Sequence, residues 1–137
     1  MAFTLAELAL VLAIAGLLSL IGVRQLQLHL DHLATRSAVT EAALLVIRAR
    51  DEAVAQHTAI TLRVDTATST LTLDARGERL AVHTLGHAYG VKLTATRDSI
   101  AFDARGLGYG AANMTLIARR REAANTLVVS RLGRVRY

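Results

Sequence analysis

The chain contains no cysteine, which excludes disulfides, thiolate nucleophiles and cysteine-ligated metal sites. The same absence leaves the compartment open, because oxidising spaces permit disulfides without requiring them. Proline is also missing, so no ring interrupts a long helix. There is no tryptophan, and aromatics make up 4% of the residues, so a core must be built from Leu, Val, Ile and Ala. Catalytic groupings are wanting as well. His29 and His32 flank Asp31 at helical spacing, but no third ligand follows at a metal-site interval, and a solvated helix face is the better reading. His57, His83 and His87 accompany no nucleophile motif. Neither an enzyme nor a cofactor is indicated.

What the chain does have is a long hydrophobic run at its N-terminus. One acid, Glu7, precedes sixteen uncharged residues from Leu8 to Val23. Residues 3–23, at the helical rise, span about 31 Å, the thickness of a bilayer's hydrocarbon core. A cleaved secretory signal would need a basic n-region before this run and a small-residue cleavage pattern after it, and neither is present. Glu7 has two readings. It either lies in the headgroup zone and needs no partner, or it is an intramembrane acid that requires one.

The stretch Phe3-Thr4-Leu5-Ala6-Glu7, followed by an apolar helix, resembles the processing and assembly signal of type IV pilins and type II secretion pseudopilins. The resemblance implies that a prepilin peptidase cuts between Ala2 and Phe3 and methylates the new amine of Phe3, leaving residues 1–2 as the remnant of a leader. It implies that Glu7 pairs with the N-terminal amine of a neighbouring subunit as helices bundle into a filament. An acid facing a cation in a low-dielectric setting is held far more strongly than in water.

After Val23, apolar residues recur at Leu26, Leu30 and Leu33, then at Ala38, Ala42, Leu45, Ala49 and Ala53. Steps of three and four mark one face of a continuing helix. With no breaker before His57-Thr58, the pattern predicts a single helix from about Thr4 to Gln56, about 80 Å long. Its first part, residues 3–23, is apolar all round; residues 24–57 are amphipathic and must pack on something.

From residue 58 the period becomes two. Ile60, Leu62 and Val64 alternate with polar neighbours, and Leu71 and Leu73 repeat the pattern beyond a polar turn, which predicts a hairpin. Further strands are expected over residues 80–83, 91–96, 99–102, 114–118, 126–131 and 134–137, with no second helix. Two echoes, Asp74-Ala75-Arg76-Gly77 and Asp103-Ala104-Arg105-Gly106, read as turns. The glycine-rich Gly106-Leu107-Gly108-Tyr109-Gly110 lacks the helix that a phosphate cradle needs and reads as a loop. The fold class is therefore α+β: a long N-terminal spine helix packed on an antiparallel sheet or sandwich formed by residues 58–137.

The formal net charge is +5, and it is unevenly placed. Residues 119–137 hold six arginines against one acid, while residues 1–118 hold ten charges of each sign. The last residues, Gly133-Arg134-Val135-Arg136-Tyr137, resemble the C-terminal end of the FimT and H-type pseudopilin (GspH) family, in which a final hairpin ends in Gly-Arg-x-Arg. With the N-terminal signal, the resemblance covers the whole chain. It implies a structural subunit of a type IV pilus or type II secretion pseudopilus, held in the bacterial inner membrane with its soluble domain in the periplasm and partnered by other pilins or pseudopilins. The alternative it implies is a minor pilin of a competence pilus that binds double-stranded DNA through Arg119, Arg120, Arg121, Arg131, Arg134 and Arg136. In a strand, Arg134 and Arg136 share one face about 6.6 Å apart, a spacing suited to successive phosphates. Arginines on a terminal edge strand also serve simply to block edge-to-edge aggregation.

Overall fold

A computed structural model describes residues 4–109 and 113–137. Its dominant element is helix α1, Leu5–Ala55, 51 residues without a break. Thr4 caps its start, and Gln56 closes its end, where His57 turns the chain by adopting a left-handed φ of 47°. Ser19, the one hydroxyl between Leu8 and Val23, donates to the Ala15 carbonyl at 2.8 Å, so it carries no unsatisfied donor into the apolar half.

The remainder folds into two antiparallel sheets. The first contains β1 (Ile60–Asp65), β2 (Thr70–Ala75), β3 (Glu78–Thr84), β5 (Ser99–Phe102) and β6 (Gly108–Tyr109), in the order β3-β2-β1-β5-β6. The second contains β4 (Lys92–Ala95), β7 (Met114–Arg120), β8 (Ala123–Val129) and β9 (Val135–Arg136), in the order β4-β7-β8-β9. A five-residue helix, α2 (Leu85–Tyr89), links β3 to β4. Both sheets pack on α1. Ala38, Ala42, Ala49 and Ala53 on the helix are wholly buried, and so are Leu62, Leu71, Phe102, Leu116 and Leu127 from the strands. Small residues on the helix let two layers of branched side chains close on it, and each large side chain buried there is worth about 1.5–3 kcal/mol.

The structure departs from the sequence-based expectation in four places. Leu26, Leu30 and Leu33 stay exposed, and the buried face begins at Asp31 and Thr35. Five positions separate Leu33 from Ala38, a rotation of about 140°, so the leucine stripe and the alanine stripe lie on different faces. Helix α2 exists where none was expected; five residues are too few to display a helical period. Part of the glycine-rich loop forms strand β6, which pairs with β5 through Phe102 opposite Gly108. Strand β8 runs from Ala123 to Val129 instead of 126–131, because Ala123 and Ala124 extend the register against Arg120 and Arg119. The two Asp-Ala-Arg-Gly segments are turns as expected. Arg76 and Gly77 both take positive φ between β2 and β3, and Asp103 Oδ1 accepts from the amides of Arg105 and Leu107.

Two anchors tie the loops to the helix. At the far end, Arg50 of α1 lies against Gly106 and Gly133, both of which have positive φ. A Cβ on Gly133 would stand 3.0 Å from Arg50 Cδ and 3.3 Å from Phe102 Cε1. Between that end and Asp31, Glu41 accepts from Tyr89 Oη at 2.6 Å and contacts His83 Nδ1 at 2.6 Å. It thereby pins α2 and β3 to α1. Burial pushes the Glu41 carboxyl up, but hydrogen bonds from Tyr89 and His83 and the charge of His83 outweigh it, so the group lies below its ordinary value. The same bond pushes the Tyr89 hydroxyl up.

These anchors generate two expectations. Gly133→Ala should destabilise the protein by about 1–3 kcal/mol, combining left-handed strain with overpacking. Gly77→Ala, also at positive φ but with open space around it, should lose only the backbone part; equal losses in urea unfolding would contradict the packing role of Gly133. Because the folded Glu41 carboxyl is depressed, its contribution is complete above its unfolded value and is lost as pH falls through the folded one. Glu41→Gln should therefore flatten the acid limb of the stability curve below about pH 5, and an unchanged acid limb would refute the role.

Candidate functional site

At the N-terminus, Thr4 and Glu7 form a reciprocal capping box. Glu7 Oε2 accepts from the Thr4 amide and hydroxyl, each at 2.8 Å, and Thr4 Oγ1 accepts from the Glu7 amide at 3.3 Å. Neither reading of Glu7 from sequence included this cap. Only one carboxylate oxygen is used by it, which leaves Oε1 for another donor. Ala2 and Phe3 lie outside the described residues. From Leu5 to Gln27 every residue of the helix is exposed, and its apolar side chains are uncovered on all sides; Leu28 is the first to be half-buried. The run has a mean hydropathy of 2.3 over its most apolar 18 residues, which makes it long and apolar enough to cross a membrane.

The arginines expected to act together divide into two groups at opposite ends of the domain. Arg119 and Arg120 end β7, and Arg121 opens the turn to β8, beside the start of the buried helix face. Arg120 Nε lies 2.9 Å from Asp31 Oδ1, and Arg121 Nη1 lies 3.1 Å from Asp31 Oδ2. Arg120 Nη1 also donates to the Tyr89 carbonyl at 2.8 Å. The Asp31 side chain is 3% exposed, so the solvated face expected around His29, Asp31 and His32 is corrected at its middle residue. A buried carboxylate needs compensation, and two guanidinium groups provide it. Arg120 and Arg121 are thus committed within the fold, and Arg119 alone of the three points outward without a carboxylate partner among the described residues.

Arg131, Arg134 and Arg136 are at the distal end. Ser130 and Arg134 close the turn between β8 and β9: the Ser130 amide donates to the Arg134 carbonyl at 2.8 Å, and the Arg134 amide donates to Ser130 Oγ at 3.1 Å. The Gly108 amide donates to the Arg131 carbonyl at 2.9 Å, joining the edge of the first sheet to this turn. A Cβ on Gly108 would come within 2.8 Å of that oxygen. All three arginine side chains are exposed, line one shallow groove with Val128 and Leu132, and have no carboxylate partner among the described residues. The arrangement is a rigid turn that presents three cations beside an apolar strip.

Among curated proteins none matches the sequence. The fold is similar to the type IV minor pilin FimU of Pseudomonas aeruginosa, with 23% identity and a TM-score of 0.62 over 74% of this chain and 86% of that one. It is similar also to the minor pseudopilin EpsH from the type 2 secretion system of Vibrio cholerae, with 13% identity and a TM-score of 0.59 over 74% of this chain and 94% of that one. The family model for the type II transport protein GspH matches residues 38–133, from the alanine face of α1 to the glycine of the last turn. A match of that extent, on a fold with an uncovered apolar helix and two antiparallel sheets, settles the family: this chain belongs to the GspH family of type II transport proteins.

Proposed function

We propose that the chain is a non-enzymatic, pilin-like structural subunit that assembles through the first half of α1 into a type IV pilus or a type II secretion pseudopilus. The observation that carries this reading is the division of one helix. Residues from Asp31 to Ala53 supply the buried face of the folded domain, while Leu5 to Gln27 are exposed throughout. Such a surface is soluble only in lipid or against other apolar helices. Before assembly the helix resides in the bacterial inner membrane, with the domain in the periplasm. A prepilin peptidase cuts between Ala2 and Phe3, and the amine of Phe3 is methylated. In the filament, Glu7 keeps its cap to Thr4 and offers its free oxygen to the N-terminal amine of a neighbour.

A second reading is favoured by the three unpaired arginines on the distal turn. Through Arg131, Arg134 and Arg136 the subunit would bind the phosphates of double-stranded DNA, with Arg119 too distant to join them and Arg120 and Arg121 already held by Asp31.

Each reading has its own test. Mass spectrometry of protein from native filaments should find a chain beginning at methylated Phe3; an assembled chain that still begins at Met1 would refute the processing step. Glu7→Gln keeps an oxygen for the Thr4 cap and removes the charge, so it should fold and reach the membrane normally. It should nevertheless be outcompeted by wild-type subunits in filament assembly, and equal incorporation would show that the charge has no part in assembly. If the distal turn binds DNA, affinity should fall steeply with salt and show no sequence preference. Arg134→Gln combined with Arg136→Gln should then lower the slope of log affinity against log salt by about two phosphate contacts, near 0.9 each. An unchanged slope would remove these residues from any DNA site.

A further inference from the structure

The end of the domain nearest the apolar run carries three cations, Arg24, Lys92 and Arg119, that pair with no carboxylate among the described residues. Lys92, the sole lysine of the chain, and Arg119 are direct cross-strand partners in the β4–β7 pair, and both are exposed. Their neighbours Leu93 and Ala118 are buried, so the two cations share the outer face of the sheet. Like charges directly opposite each other are destabilising, with Cβ atoms only about 5 Å apart. No carboxylate pairs with either among the described residues. At the β7–β8 turn, Arg24 lines a groove with Arg121 and Glu122, the single exposed acid there. The other nearby acid, Asp31, is buried beneath Arg120 and Arg121.

Helix geometry fixes where this collar stands. Arg24 directly follows the apolar run, and Asp31 is eight residues beyond Val23, a rise of about 12 Å. The headgroup layer of one leaflet is about 5–7 Å thick. Arg24 therefore stands within the headgroup layer, while the level of Asp31, where β7 ends, is about 5–7 Å outside it, within one Debye length of about 8 Å at physiological salt. A tilt of about 20°, ordinary for a membrane helix, would bring one side of the domain closer still.

We propose that Arg24, Lys92 and Arg119 form a membrane-proximal collar that docks the domain on the anionic phospholipid headgroups of the bilayer holding its own helix. The inference rests on α1 being a membrane helix. Docking fixes the tilt of the unassembled subunit and offsets the repulsion between Lys92 and Arg119. On leaving the bilayer for a filament, the subunit gives up these contacts, so anionic lipid opposes extraction.

The test uses the full chain reconstituted in vesicles of phosphatidylcholine, with or without phosphatidylglycerol. Ala124 is exposed and lies opposite Arg119 in the register, and the chain has no cysteine, so Ala124→Cys accepts a single fluorophore beside the collar. Quenching by headgroup spin-labelled lipid should be stronger with phosphatidylglycerol and should be lost at high salt. Lys92→Gln with Arg119→Gln should abolish the difference, at roughly fivefold in the docked-to-undocked ratio per charge removed. Lys92→Arg should keep it, as should Arg76→Gln with Arg79→Gln at the opposite end. Circular dichroism checks that each variant is folded. Vesicle flotation reads the helix independently: a chain that floats in both lipids but is quenched equally in both overturns the collar alone. A chain that does not float overturns the membrane helix and the collar together. Quenching that needs a high protein-to-lipid ratio would assign the surface to a second copy and overturn the lipid reading.

Discussion

The close approach of two sheets to one helix depends on side chains that are nearly absent. Ala38, Ala42, Ala49 and Ala53 have no exposed surface, and leucines or isoleucines in their place would hold the strands off by the width of a side chain. With the helix thin, one layer of Leu, Ile, Val and Phe from each sheet reaches it, and a chain with 4% aromatics still closes its core. Everything functional is positioned by that contact. The distal turn rests on Arg50, the central loop on Glu41, and the proximal turn on Asp31, each a polar residue at the border of the same helix face.

Asp31 marks the boundary between the two uses of the helix. Above it, burial in the domain holds the helix; below it, only Leu28 is partly covered, and from Leu5 to Gln27 every residue is exposed. Its carboxylate is buried and compensated by Arg120 and Arg121, so removing the arginines would leave an unpaired charge, at about 3–5 kcal/mol. The pair thus fixes where the helix leaves the domain.

Much of this was legible in the sequence, because periodicity is a local signal. The absence of proline and the three-four spacing gave a helix from about Thr4 to Gln56, and Leu5–Ala55 is observed. Alternation from Ile60 to Leu73 gave the first hairpin, and the structure pairs Leu62 with Leu73 and Val64 with Leu71. The leucines at 26, 30 and 33 misled because apolarity alone does not say whether a face meets its own domain or something outside the chain. Asp31, Arg50 and Glu41 were missed for a related reason: their partners lie 90, 83 and 48 positions away in sequence, and no local pattern couples an acid in a helix to an arginine in a distant turn. The division of the arginines between two ends of the domain was likewise invisible, since Arg121 and Arg131 are close in sequence but sit at opposite ends of β8. The only sequence hint was the run Arg119-Arg120-Arg121 itself, three adjacent cations at the end of one strand.

The central claim is that a single continuous helix serves lipid or other helices with its first half and its own domain with its second. A cysteine scan in native membranes tests it directly, because the chain offers no other thiol. With a membrane-impermeant maleimide, cysteines at positions 8–23 should be protected whichever way they face. Beyond Arg24, reactivity should follow the helical period, with Ser37 and Arg48 positions labelled and Ala42 and Ala49 positions protected. Uniform labelling from position 8 onward would show that the first half is neither in a bilayer nor against other helices, and the account would fail.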